Sequence, residues 1–160
     1  MKFLLTLSII FFLTPHSLSA EKNGLYVSSL DGTQIKFSDL LKKNQWNIIF
    51  VWTTYCTHCD DQYQFLTNIH SSDKDITVIG LNLDGLNFSK KVQDYKNERK
   101  HSFKSYLVEV EVFKKLYNKA IGYQFSGTPT YLLYKDKEFK AFLDGPTSAT
   151  VIRAFIKSKT

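Results

Sequence analysis

One stretch constrains this chain more than any other: Asn47-Ile-Ile-Phe-Val-Trp-Thr-Thr-Tyr-Cys-Thr-His-Cys59. Its first part, Ile48 to Trp52, is β-branched and aromatic, the composition of a strand buried on both faces. It ends in a Cys-x-x-Cys pair, the only cysteines among 160 residues. Beyond the pair, Phe65, Leu66 and Ile69 recur at helical spacing, which predicts a helix running to about residue 71. Cys56 therefore falls where a strand gives way to a helix, with Cys59 in the first turn. A helix N-terminus carries roughly +0.5 charge and free N–H groups, and both stabilise a thiolate.

The start of the chain has a different character. Lys2 precedes an apolar stretch, Phe3 to Leu13, far shorter than the ~20 residues a membrane-spanning helix needs. Ser17-Leu-Ser-Ala20 offers small residues for cleavage, and Glu21 opens a polar segment. Residues 1–20 read as a secretory signal peptide, with an uncleaved interfacial anchor as the alternative. Glu21 rather than cysteine follows the expected cut, which gives no sign of a lipid anchor. The remainder, 21–160, is long enough for one domain with a core of its own. Thirteen Phe, nine Tyr and two Trp supply its bulk. In an exported protein the net charge of +6 favours solubility and contact with anionic membrane surfaces, not nucleic acid.

Export allows a disulfide to persist. Closing so short a loop stabilises a fold by only about 2 kcal/mol, against nearly 5 for a loop of ~100 residues. A structural staple would be placed elsewhere. A zinc site needs about four ligands, and beyond the pair only His58, His70 and His101 remain outside the leader. Asp60 follows Cys59, so the motif is not the Cys-x-x-Cys-His of covalent haem attachment. A redox dithiol is the favoured reading, with metal binding and a structural bridge as the alternatives.

Taken in order, Leu25–Leu30 and Thr33–Ser38 flank Asp31-Gly32, a hairpin signal. Ser38 is expected to cap a short helical turn. The strand 46–52 and the cysteine-bearing helix follow, then a buried strand over Ile76–Leu81. Ser89 to about Lys100 is polar and basic and reads as a solvated helix, and Val110–Ala120 as another helix. Thr130–Tyr134 and Glu138–Phe142 flank Lys135-Asp-Lys as a second hairpin. Gly145-Pro-Thr-Ser then starts an amphipathic helix over Ala149–Lys157. This alternation implies an α/β sheet with helices on both faces. Between Cys59 and Pro129 about 25 residues exceed the ~45 needed for helix, strand, helix and loops, enough for one extra strand–helix unit.

Trp52-Thr-Thr-Tyr-Cys-Thr-His-Cys59 resembles the W-x-x-W-C-x-x-C site of the thioredoxin superfamily, and Gly127-Thr-Pro-Thr-Tyr131 resembles its cis-proline loop. The N-terminal hairpin and the extra unit resemble the TlpA/ResA/CcmG group of exported thiol-disulfide oxidoreductases. The resemblance covers most of residues 25–158. It implies a thioredoxin fold with an N-terminal β-hairpin extension and one inserted strand–helix unit. It implies Cys56 as nucleophile, Cys59 as resolving thiol, a cis bond between Thr128 and Pro129, and Trp52 and Tyr55 packed beside the site. The redox-active Cys56–Cys59 disulfide then stands in place of a cofactor. Two positions depart from the pattern: Phe50 stands where thioredoxin has a buried aspartate, and Gln62 where the TlpA-type group often has a glutamate. Asp60 and Asp61 suit a helix start but oppose a thiolate at Cys59, or else are exposed residues without a catalytic role.

His58 is placed to donate to the Cys56 sulfur at the helix start, with a solvent-facing position as the alternative. The implied activity is extracytoplasmic reduction of disulfides in exported proteins, with a membrane thiol reductase as electron donor and a periplasmic or similar location. A disulfide-donating oxidase and a copper-handling metallochaperone-like module are the alternatives.

Overall fold

The computed structural model describes residues 24–159. The expected signal peptide, residues 1–20, lies outside the described residues. Within them the chain forms a seven-stranded mixed sheet with helices on both faces. The strands are β1 (Tyr26–Ser28), β2 (Gln34–Lys36), β3 (Trp46–Trp52), β4 (Ile76–Asn82), β5 (Ser105–Leu107), β6 (Thr130–Lys135) and β7 (Glu138–Asp144), in the spatial order β2-β1-β5-β4-β3-β6-β7. The helices are α1 (Phe37–Leu40), α2 (Thr57–Ser72), α3 (Ser89–Glu98), α4 (Val110–Ile121) and α5 (Ala149–Ser158). This is a thioredoxin fold, with β1–β2 as the N-terminal hairpin and one additional strand–helix pair between β4 and β6.

The central strand explains the arrangement. All seven residues of β3 are buried. It runs parallel to β4 and antiparallel to β6, so both of its edges are paired. Successive side chains of a strand point to opposite faces. Trp46, Ile48, Phe50 and Trp52 accordingly join Leu66 and Ile69 of α2 and Ile152 of α5 in one core. Ile49 and Val51 join Phe113 and Tyr117 of α4 in the other. Two dry faces and two paired edges explain the apolar run from Ile48 to Trp52. The one buried polar residue, Asn47, is satisfied at the strand's start by accepting from the Lys42 amide at 2.8 Å and donating to the Lys42 carbonyl at 2.9 Å.

The turns follow local chemistry. Asp31 accepts from the Thr33 amide at 3.0 Å and closes the first hairpin. Asp136 and Lys137 both take positive φ, 53° and 69°, as a two-residue hairpin loop requires. The Ser148 hydroxyl caps α5 by accepting from Val151 N at 3.3 Å. Ser38 does not cap α1. The cap position is Lys36, without a side-chain bond, and Ser38 lies inside the turn, its hydroxyl directed to Asp39. The helix starts two residues earlier than a Ser38 cap would place it, with Phe37 packed edge-on to Tyr134 at 5.9 Å.

Phe50 is fully buried and meets the rings of Tyr63, Phe103 and Tyr131 at 5.4, 6.3 and 5.5 Å. Truncation there leaves a cavity among rings that cannot collapse together. Phe50→Ala should therefore lower stability by about 3–5 kcal/mol, read from denaturant unfolding of the oxidised protein.

Candidate active site

The chain leaves β3 at Trp52 and turns through Thr53-Thr-Tyr55 into α2. Asp84, just past β4, pins this turn: its carboxylate accepts from the Thr54 amide at 2.9 Å and from Asn82 Nδ2 at 3.3 Å. The Leu83 amide donates to the Trp52 carbonyl at 3.0 Å. Cys56 occupies the N-cap position of α2 in an extended conformation, and the Cys59 amide donates to its carbonyl at 3.0 Å. The two sulfurs form a disulfide, S–S 2.02 Å, with α-carbons 5.2 Å apart. Cys56 is partly exposed, whereas Cys59 is completely buried beside Trp52 and Tyr63.

The second edge of the site comes from β6. Thr130 is in register with Val51, so the residues before it lie at the same end of the sheet as the cysteines. The Thr128–Pro129 peptide is cis. Gly127, with φ 148°, takes a backbone conformation that favours glycine. The Thr130 hydroxyl holds this loop by donating to the Gly127 carbonyl at 2.7 Å, and the Gly145 amide donates to the Pro129 carbonyl at 2.8 Å.

Trp52, Tyr55 and His58 have unlike surroundings. Trp52 is fully buried and floors the site. Tyr55 is 68% exposed and does not pack into the protein; the Lys91 ammonium covers its ring at 3.7 Å from the centroid. His58 is exposed, with no hydrogen-bond partner among the described residues, so in the disulfide form it faces solvent. Gln62 is buried. Its side-chain oxygen accepts from the Tyr131 hydroxyl at 2.7 Å and the Thr147 amide at 3.0 Å, tying α2 to β6 and to the entry of α5.

Sequence reasoning missed the partner of Asp60. The Arg99 Nε donates to its Oδ1 at 2.8 Å and the Arg99 Nη2 donates to Oδ2 at 3.5 Å, while the Tyr95 hydroxyl donates to Oδ1. The guanidinium lies 3.6 Å above the Tyr95 ring. Partial burial pushes the Asp60 carboxyl up, but the hydrogen bonds from Arg99 and Tyr95 and the guanidinium charge outweigh it and hold it below the usual carboxylate range. Helix α3 is thus solvated along most of its length but fastened to the first turn of α2 at its end. The spacing of Tyr95 and Arg99, one turn apart on a helix, was the available signal.

Beneath this cluster His101 stacks on Phe103 and lies against Tyr63, 3.7 Å between ring centres. Its two ring nitrogens are buried without hydrogen-bond partners among the described residues. Burial first, then the charges of Lys96 and Arg99, lower its pKa to about 3. Among the described residues no group of three or more His, Cys, Asp or Glu side chains is placed to hold a metal ion. A cavity of about 390 Å³ lined by Leu25, Phe37, Phe113 and Tyr117 opens on the α4 face, away from the disulfide.

No protein-family model matches this sequence, and no curated protein matches it by sequence. Solved structures do resemble the fold. A secreted disulfide oxidoreductase of Mycobacterium tuberculosis, described as homologous to Escherichia coli DsbE, superposes with a TM-score of 0.65 at 14% identity, covering 84% of this chain and 95% of that one. StoA from Bacillus subtilis gives 0.57 at 21% identity, over 82% and 95% of the two chains. A thiol:disulfide interchange protein of the thioredoxin family from Chlorobium tepidum gives 0.66 at 16%, over 85% and 92%. At these identities the likeness establishes the fold.

Below the ordinary histidine pKa of 6.5, His101 takes a proton in the unfolded chain but not in the folded one, so its contribution to stability is full above 6.5 and is lost as pH falls toward about 3. His70, also lowered by burial and by Lys42, acts in the same direction. Stability measured in urea should decline from pH 7 to pH 5, and His101→Phe should make the decline shallower. An identical slope in that variant would mean that His101 is solvated when protonated.

Proposed function

We propose that this chain is an extracytoplasmic thiol-disulfide oxidoreductase that reduces disulfides in exported proteins. The observation that carries the reading is the asymmetry of the Cys56–Cys59 pair: one sulfur reaches solvent at a helix N-terminus and the other is sealed beneath it. Such a pair can attack, be attacked and close again. In the dithiol state the Cys56 thiolate attacks one sulfur of the substrate disulfide and the other leaves as a thiolate. A mixed disulfide joins Cys56 to the substrate. Cys59, deprotonated, then attacks the Cys56 sulfur, the substrate departs as a thiolate that takes up a proton, and two electrons have passed to it.

Each remaining residue has a part in this scheme. Thr128 and Pro129 offer a backbone edge to the substrate segment, Trp52 supports the pair from below, and exposed Tyr55 adjoins the attacking sulfur. His58, which has no hydrogen-bond partner among the described residues in the disulfide form, is free to turn toward a Cys56 thiolate and stabilise it. A leader at residues 1–20 would deliver the domain 21–160 across the membrane, and a membrane thiol reductase would return the pair to the dithiol. The comparison structures support the assignment by the names they carry, a secreted disulfide oxidoreductase and a thiol:disulfide interchange protein.

The reduced protein should be alkylated by iodoacetamide at Cys56 and not at Cys59 at neutral pH. Cys59→Ser should accumulate a mixed disulfide with a substrate and Cys56→Ser should not; preferential labelling of Cys59 would reverse the two roles. Thiol trapping in cells should find the pair mostly reduced, and a mostly oxidised pair would make the protein an oxidase.

The dithiol should be poised above about −270 mV and well below −120 mV, the values of thioredoxin and DsbA on the same scale. His58→Pro should lower the potential by some tens of millivolts, since ~30 mV corresponds to about 1.4 kcal/mol for a two-electron couple. Equilibration with glutathione followed by alkylation and mass measurement gives both values. No change in the variant would leave His58 without a role in the chemistry.

A further inference from the structure

The carboxylate of Asp60 belongs to the residue that follows the buried cysteine. Left alone, it would raise the cost of a thiolate at Cys59 by like-charge repulsion and counter the helix N-terminus. It is not left alone. We infer that Arg99 and Tyr95 are positioning residues for the resolving step, holding the Asp60 carboxylate in a neutral pair so that Cys59 can ionise within the mixed disulfide. This rests on the dithiol reading of the Cys56–Cys59 pair.

Three features separate this contact from an ordinary surface ion pair. Arg99 meets both carboxylate oxygens, at 2.8 and 3.5 Å, and the tyrosine hydroxyl adds a further donor. The guanidinium is stacked 3.6 Å from the Tyr95 ring, whose own position is fixed 5.4 Å from the ring of fully buried Trp52. The contact also joins elements 39 residues apart, so it exists only when α3 is docked on the first turn of α2. Glu98 approaches Arg99 at 3.4 Å as well, but its side chain is largely exposed.

Other ionisable groups on the elements around Cys59 do not duplicate this role. Tyr63, Tyr95 and Tyr131 are pushed up by burial and His101 is pushed down, so all four are neutral at pH 7. His58, Asp61, Lys96 and Glu98 remain the same in every variant below.

The step itself is balanced. Cys59–SH releases its proton to solvent; the Cys59 sulfur forms a bond to Cys56 sulfur; the bond from Cys56 to the substrate sulfur breaks, and its electron pair leaves with the substrate as a thiolate. A fixed negative charge beside Cys59 hinders the first event and leaves the attack by Cys56 almost untouched.

A reporter disulfide separates the two events. Reduced full-length protein mixed with 5,5′-dithiobis(2-nitrobenzoate) in a stopped-flow instrument should release two equivalents of thionitrobenzoate. The first marks attack by Cys56 and the second marks resolution by Cys59. In Arg99→Gln the second phase at pH 7 should slow by about threefold, the size expected of a partly exposed charge pair, with its pH midpoint moved upward and the first phase unchanged. Tyr95→Phe, which keeps the ring, should slow it less. Asp60→Asn added to Arg99→Gln should restore the wild-type rate and midpoint. A second phase unaffected by Arg99→Gln overturns the inference, and so does a double variant as slow as Arg99→Gln alone, which would make the pair a structural clamp. Release of a single equivalent by the wild type overturns the dithiol reading itself.

Discussion

The structure depends on one strand. Because β3 is dry on both faces and paired along both edges, its position is fixed by nearly every other element, and whatever it carries at its end is fixed with it. It carries Trp52 and, four residues later, Cys56. The turn between has little freedom: Asp84 grips it from the end of β4, and Thr130 brings the proline loop alongside it from β6. The reactive geometry is thus a property of strand register, and local preferences at the cysteines only refine it.

Electrostatics at the helix start then decides what the sulfurs can do. An N-terminus favours a thiolate, and an acidic first turn opposes one. In this chain the opposition is answered from outside the helix by Arg99 and Tyr95, while the hydrophobic floor under Cys59 is kept free of charge by a neutral, partly buried His101. Gln62, in turn, gives α2 a polar tie to β6 and to the entry of α5 without bringing a charge inside.

Much of this was legible in the sequence because it is local. The change from a strand run to helical spacing at Trp52–Cys59, the Asp-Gly turn and the Lys135-Asp-Lys hairpin each announce themselves within a few residues, and the surplus length before Pro129 announces the additional strand–helix pair between β4 and β6. The exceptions are long-range. The partner of Asp60 is 39 residues away and that of Gln62 is 69 residues away. Neither could be paired before the placement of α3 and β6 on the sheet was known. His101 lies between Lys100 and Ser102, a polar context that conceals its burial. Ser38 misled because cap preference was outweighed by the packing of Phe37.

The sheet's two borders carry a further consequence. On one side it ends in β2, only three residues long and bearing Lys36 at its end. On the other it ends in β7, whose outer half displays Glu138 and Lys140, with a register irregularity where β6 meets it. Short, charged and bulged borders are poor templates for another chain's strand. Growth of the sheet from molecule to molecule, the first step toward fibrils, is thereby discouraged at both margins.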